Sequence, residues 1–210
     1  MIKATLFDFG GVILSSPFEA FSSYERANGL PDGFIRGVNA TNPHDNAWAR
    51  LERGEVDLEQ FCALFEEESA AAGHRVAGMD VIGLLSGEVR PQMVEALRRC
   101  RERVKTACLT NNFVLAGEED TPGRRAEVEQ VMSLFDLVVE SSKVGVRKPD
   151  PRFYEMACEG LGIEPSEAVF LDDLGINLKP AREMGMTTIK VSDPDVAIAD
   201  LERVLGFPLG

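Results

Sequence analysis

Four short stretches of this 210-residue chain carry side chains that together are able to do chemistry. "ATLFDFGGVI" (4–13) ends an apolar run on Asp8 and follows it with Gly10 and Gly11. "KTACLT" ends at Thr110 and runs into Asn111 and Asn112, "SSKVGVRKPDP" carries Lys148, and "FLDDLGIN" carries Asp172 and Asp173. Taken singly, each is ordinary: an aspartate after a strand caps or turns, Thr-Asn-Asn turns, and a lysine before proline is a loop charge. Taken together they offer a carboxylate, a hydroxyl, an ammonium and an acidic pair, the set needed for phosphoryl transfer through a covalent intermediate. A carboxylate that attacks phosphorus forms an aspartyl-phosphate and replaces one hard step with two easier ones. Because two anions must approach, a lysine and a Mg²⁺ ion are required to neutralise charge. Mg²⁺ takes oxygen ligands of the kind that Asp8, Asp172 and Asp173 present. Thr110 and nearby backbone N–H groups would hold the phosphoryl oxygens, with Gly10 and Gly11 letting the backbone come close.

These residues are useful only if the fold brings them together. "ATLF", "KTACLT", "LVVE" (137–140), "AVFL" (168–171) and "TTIKV" (187–191) read as short strands, apolar throughout and bounded by polar or glycine residues. Apolarity without alternation implies burial on both faces, hence a parallel sheet between helices. "RPQMVEALRRCRER", "DPRFYEMACEGLG" with Asp150 as cap, "NLKPAREMG" with Asn177 as cap and its proline in the first turn, and "DPDVAIADLERVLG" supply those helices. The order is that of a doubly wound α/β fold, in which ligands bind beyond the carboxyl ends of the strands. All four chemical stretches fall at such ends. Residues 15–86 break the rhythm with helical periodicity alone, including a capping-box pattern at Asp57 and Gln60. The expected organisation is an α/β core of 1–14 and 87–210 with a helical cap of 15–86.

The net charge of −13 disfavours nucleic acid and anionic membranes as partners. No run approaches the roughly 20 apolar residues of a membrane span, and the N-terminus has no signal-peptide pattern. Cys62, Cys100, Cys108 and Cys158 stand without paired spacing and read as buried thiols of a cytoplasmic protein. With His44 and His74 the only histidines, zinc is disfavoured.

"FDFGGV", "LTNN", "KPDP" and "FLDDLGIN", in that order, resemble the motifs of the haloacid dehalogenase-like superfamily over essentially the whole chain. Within it, residues 135–191 resemble the N-terminal phosphatase domain of soluble epoxide hydrolases and the equivalent domain of acyl-CoA dehydrogenase family member 10. The resemblance implies a Rossmann-like core with a type-one cap, and Asp8 as nucleophile. It implies Thr110 as phosphoryl ligand with Asn111 beside it, and Lys148 as neutralising charge. Asp173 would bind Mg²⁺ directly, Asp172 directly or through water, and the carbonyl of Gly10 would complete the metal contacts. The chain departs from the pattern at Gly10, where phosphatases of the family usually carry a second aspartate as general acid and base, worth about 10²–10⁴-fold. Three outcomes follow. The chain is a phosphatase of a small phosphorylated metabolite, with His44, Asp45 or Arg50 as replacement donor or substrate contact, or with a leaving group that needs no proton. Alternatively it is a catalytically weak phosphate- or metabolite-binding protein. The third outcome is a 2-haloacid dehalogenase, against which the Asp172–Asp173 pair stands. Trp48 reads as cap core.

Overall fold

The computed structural model of the chain describes residues 1–113 and 122–209. The five apolar runs form β1 (Ala4–Phe7), β2 (Lys105–Thr110), β3 (Leu137–Glu140), β4 (Ala168–Asp172) and β5 (Thr187–Lys190). All pairings are parallel and the order is β3-β2-β1-β4-β5. β1 and β4 are buried at every position, as continuous apolarity demands of central strands. From β1 the chain winds outward to β3, and from β4 outward to β5, so the switch point lies between β1 and β4. Register pairs Phe7 with Leu171, and the Asp8 N–H donates to the Leu171 carbonyl at 2.8 Å. Asp8 and Asp172 therefore leave the sheet side by side at the crevice.

Between β1 and β2 come α1 (Phe18–Ala27), α2 (Phe34–Ala40), α3 (Ala47–Glu52), α4 (Leu58–Ala71), α5 (Gly78–Gly83) and α6 (Pro91–Arg101). α7 (Pro122–Met132) precedes β3; α8 (Ser141–Val144) and α9 (Pro151–Leu161) precede β4. α10 (Gly175–Glu183) and α11 (Pro194–Leu205) flank β5. Met93, Leu97 and Leu201 of α6 and α11 pack with Phe7 and Leu171 on one face of the sheet. Phe153, Tyr154 and Leu178 of α9 and α10 pack with Leu6, Leu109 and Phe170 on the other. This is the doubly wound α/β arrangement expected. Each such side chain removed from water contributes about 1.5–3 kcal/mol toward holding the layers together.

α1–α5 bury a separate cluster that includes Phe21, Ile35, Val38, Trp48, Phe61 and Phe65. Trp48 packs on Phe61 with ring centroids 4.8 Å apart. The chain leaves and re-enters at one place: Leu14 bridges Val89 antiparallel, the Ser15 N–H donates to the Glu88 carbonyl at 2.8 Å, and the Arg90 N–H donates to the Ile13 carbonyl at 2.9 Å. Among the described residues no helix is long and apolar enough to cross a membrane, and no disulfide forms. Cys100, Cys108 and Cys158 are buried, while Cys62 is only half-buried.

Local signals resolve as expected in α4 and α9. Gln60 N donates to Asp57 Oδ1 at 2.8 Å and Asp57 N to Gln60 Oε1 at 3.0 Å, a complete capping box. Asp150 caps α9 by accepting from Arg152 N. Two readings of α10 are corrected. The helix starts at Gly175, so Asn177 lies inside it rather than capping it, and Pro180 lies in its interior rather than its first turn. The cause is Asp172, a wholly buried carboxylate that draws the Asn177 amide to it. α7 and α8 had no sequence signal: one carries few apolar residues and the other is a single turn.

Candidate active site

Lys148 is the centre of the site. Its side chain is 1% exposed, and Nζ lies 2.8 Å from Asp8 Oδ2 and 2.8 Å from Asp172 Oδ2. The loop that carries it is clamped by Asn111, whose Oδ1 accepts from Lys148 N at 2.9 Å and whose Nδ2 donates to the Lys148 carbonyl at 3.0 Å. Asp8 caps the tight turn that follows β1, its Oδ1 accepting from Phe9 N at 2.6 Å. That turn is held from outside by Arg90, which donates to the Gly11 carbonyl at 2.8 Å. Asp172 accepts from Leu174 N at 2.8 Å and from Asn177 Nδ2 at 3.0 and 3.1 Å, besides Lys148. Asp173 accepts from the Ser16 hydroxyl at 3.4 Å.

The two glycines differ. Gly11 has φ of 76°, and a Cβ there would overlap the Asp173 carboxylate, so backbone and crowding both demand glycine. Gly10 has φ of −69° and open space where a Cβ would lie. Contacts within the protein therefore demand glycine at Gly11 and not at Gly10.

Carboxylate oxygens of Asp8, Asp172 and Asp173 all lie within 4.8 Å of one another. One ammonium does not balance three carboxylates. Burial raises the Asp8 pKa well above its ordinary value; Lys148 opposes this, and Asp172 and Asp173 add to it. Burial, then Asp172, pushes Asp173 up to about 6. For Lys148 burial alone would lower the value, but Asp172 and Asp8 outweigh it and hold the group above its ordinary value, so it stays an ammonium. The cluster is short of positive charge and offers only oxygen, which fits a hard divalent cation such as Mg²⁺. Asp173, met at 3.4 Å by the Ser16 hydroxyl, is the better placed to serve it, since both oxygens of Asp8 and both of Asp172 already lie at 2.6–3.1 Å from protein donors.

A cavity of about 390 Å³ is lined by Asp8, Gly10, Asn111, Lys148 and Asp173, and by Phe18, Phe21, Trp48 and Leu85 from the helical segment. Thr110, Gly11 and Asp172 are not among its lining residues; Thr110 is buried at the last position of β2. His44, Asp45 and Arg50, the candidates for a replacement donor or substrate contact, are not among its lining residues either. His44 lines a second cavity of about 360 Å³ with Arg53, and Arg50 lies 4.0 Å from Glu55. The segment instead sends Glu52 into the first cavity, where it pairs with Arg147 at 2.6 Å. Burial raises the Glu52 pKa, while Arg147 and Lys148 lower it. Glu52 was missed, although Trp48 and Glu52 stand four apart and so share a face of α3. Asn177, Ser16 and Arg90 were missed as well; each is an unremarkable polar residue until the fold brings it to an acid or a carbonyl.

A family model described as haloacid dehalogenase-like hydrolase matches residues 2–185. Acyl-CoA dehydrogenase family member 10 of Mus musculus is 39% identical over 99% of this chain, and bifunctional epoxide hydrolase 2 of Sus scrofa is 32% identical over 99%. The chain spans only 19% of the first and 40% of the second. Phosphatase MT3486 of Mycobacterium tuberculosis is 29% identical over 88% of this chain and 85% of its own length. Among solved structures, a HAD family enzyme of Bacteroides thetaiotaomicron in complex with magnesium and inorganic phosphate superposes with a TM-score of 0.58. It is 22% identical, over 90% of this chain and 94% of that one, which shows a shared fold.

Proposed function

This chain belongs to the haloacid dehalogenase-like hydrolases, and from that membership we propose that it is a Mg²⁺-dependent phosphatase of a small phosphorylated metabolite, working through an aspartyl-phosphate on Asp8. The observation that carries the reading is Lys148, buried and bonded at 2.8 Å to both Asp8 and Asp172, with Asp173 beside them on the same cavity. A relative named a phosphatase, aligned over most of both chains, supports it.

Asp8 Oδ2 attacks phosphorus, the bond from phosphorus to the leaving oxygen breaks, and that oxygen departs with the electron pair. Water then attacks the same phosphorus, releasing inorganic phosphate and restoring the carboxylate. Lys148 opposes the rise that burial imposes on the Asp8 pKa, aims the carboxylate, and offsets the charge of the incoming phosphoryl group. Asn111 holds the Lys148 backbone and is a positioning residue. Thr110, buried at the end of β2, would hold a phosphoryl oxygen with its hydroxyl. Asp8, Asp173, the Gly10 carbonyl and Asp172, directly or through water, would hold Mg²⁺, which when bound screens the negative charges of nucleophile and phosphoryl group. The space beside Gly10 contains no carboxylate of its own residue, so the leaving group departs unprotonated or takes its proton from water. Good leaving groups are favoured accordingly.

The test is hydrolysis of acetyl phosphate and p-nitrophenyl phosphate with and without Mg²⁺, beside Asp8→Asn, with halide release from 2-haloacids as a further arm. Turnover that needs both Mg²⁺ and Asp8 is expected. Turnover independent of either, or halide release instead, would refute the reading.

A further inference from the structure

The phosphoryl chemistry gives Glu52 no role, although it lines the same cavity as Asp8, Asn111 and Lys148. Its pairing with Arg147 is a poor explanation by itself. Desolvating two charges offsets most of their attraction, so a buried pair adds little net stability over apolar side chains of the same size. What sets Glu52 apart is where its partners stand. Arg147 directly precedes Lys148 in the chain. Asn111, whose amide is bonded to both the N–H and the carbonyl of Lys148, also donates to the Glu52 carboxylate. A side-chain amide has two N–H groups, so Asn111 can serve the Lys148 carbonyl and Glu52 together.

α3, which carries Glu52, is firmly seated. Asn46 caps it by accepting from Ala49 N at 2.9 Å, and the Glu68 carboxylate accepts from Ala47 N at 2.8 Å. Trp48 is packed on Phe61, and Phe113, two residues past Asn111, sets its ring edge-on to Trp48 at 6.1 Å. The helix therefore meets the chain on both sides of the catalytic cluster, at the end of β2 and at the loop of Lys148.

We propose that Glu52 is a positioning residue for phosphoryl transfer: through Asn111 it fixes the backbone of Lys148, and so aims the ammonium that lies between Asp8 and Asp172. The proposal rests on the phosphatase reading and adds a residue to its machinery. Glu52 transfers no proton and acts only through Asn111 and Lys148. A displacement of about 1 Å in a reacting or charge-stabilising group costs about 10²-fold in rate, which sets the size of the effect.

The experiment compares wild-type enzyme with two double variants, Glu52→Gln with Arg147→Met and Glu52→Leu with Arg147→Met. Both remove the two charges together, so neither leaves a buried charge unpaired; only glutamine keeps an acceptor for Asn111. On acetyl phosphate the leucine variant is expected to lose about 10²-fold in kcat with KM within about 3-fold, and the glutamine variant to recover about 10-fold of that loss. The Lys148 N–H, held by Asn111 Oδ1 at 2.9 Å, supplies a readout that needs no turnover. Its hydrogen exchange should be about 10-fold faster in the leucine than in the glutamine variant, with the amides of β1 and β4 unchanged. Equal Lys148 exchange in the two variants, or kcat values that follow Tm instead of that exchange, overturns the proposal while Asp8-dependent turnover leaves the phosphatase reading intact. A glutamine variant that recovers on acetyl phosphate but not on propyl phosphate would mark Glu52 as a proton donor and overturns it as well. No turnover by the wild-type enzyme overturns the phosphatase reading and this proposal together.

Discussion

Gly10 and Gly11 are adjacent, yet they are glycine for different reasons. At Gly11 the backbone is left-handed and Asp173 fills the space of a side chain, so Gly11→Ala must displace a carboxylate of the site. A lowered Tm and loss of turnover are expected, the second visible at temperatures where the protein stays folded. Gly10 is under no such constraint, and Gly10→Asp is expected to fold. It should speed hydrolysis of alkyl phosphates more than of acetyl phosphate, up to about 10²-fold, because only the alkoxide needs a proton. Equal gains on both would contradict the missing-acid account. Asp173 makes a prediction about pH. Its folded pKa of about 6 exceeds the ordinary 3.8, so between those values the folded protein holds more protons than the unfolded one. Stability of the protein in a chelator should therefore fall as pH rises from about 4 to 6, and Asp173→Asn should flatten that slope in denaturant unfolding.

At the scale of elements, the strands were legible because both their faces are buried: all five apolar runs became strands, with bounds shifted by at most a residue. Four strand ends, and hence Asp8, Thr110, Asn111, Lys148 and the acidic pair, could be placed from that alone. What could not be read was long-range pairing. The Asn177 amide, Arg90 on the Gly11 carbonyl, and Glu52 with Arg147 each join segments whose meeting depends on the tertiary fold. For the same reason residue type alone pointed to His44, Asp45 and Arg50, whereas the charged residue of α3 that lines the cavity is Glu52. The Glu52–Arg147 pair ties α3 to the loop of Lys148, and Arg147 also donates to the Pro43 carbonyl at 2.9 Å. Glu52→Gln leaves the arginine charge buried without its partner, at a cost of about 3 kcal/mol. The double variant Glu52→Leu with Arg147→Met should recover part of that loss in a double-mutant cycle.

For the whole molecule, two apolar layers fix the sheet while the switch point gathers three carboxylates around one lysine. That gathering costs stability until a cation arrives. Mg²⁺ is therefore expected to raise Tm, with about 2.7 kcal/mol gained at a hundredfold excess over Kd, and Asp173→Asn should abolish the shift while raising the Tm of the metal-free protein. A Tm unchanged by Mg²⁺ in the parent protein would refute the metal assignment.

The central claim is that Asp8 becomes phosphorylated during turnover, and borohydride reduction of acid-quenched enzyme reads this residue by residue. An acyl phosphate at Asp8 is reduced to homoserine, so mass spectrometry of enzyme quenched while hydrolysing acetyl phosphate should show that change in the peptide holding residue 8 and at no other aspartate. Phosphate release at an unaltered rate with residue 8 recovered only as aspartate would contradict the account.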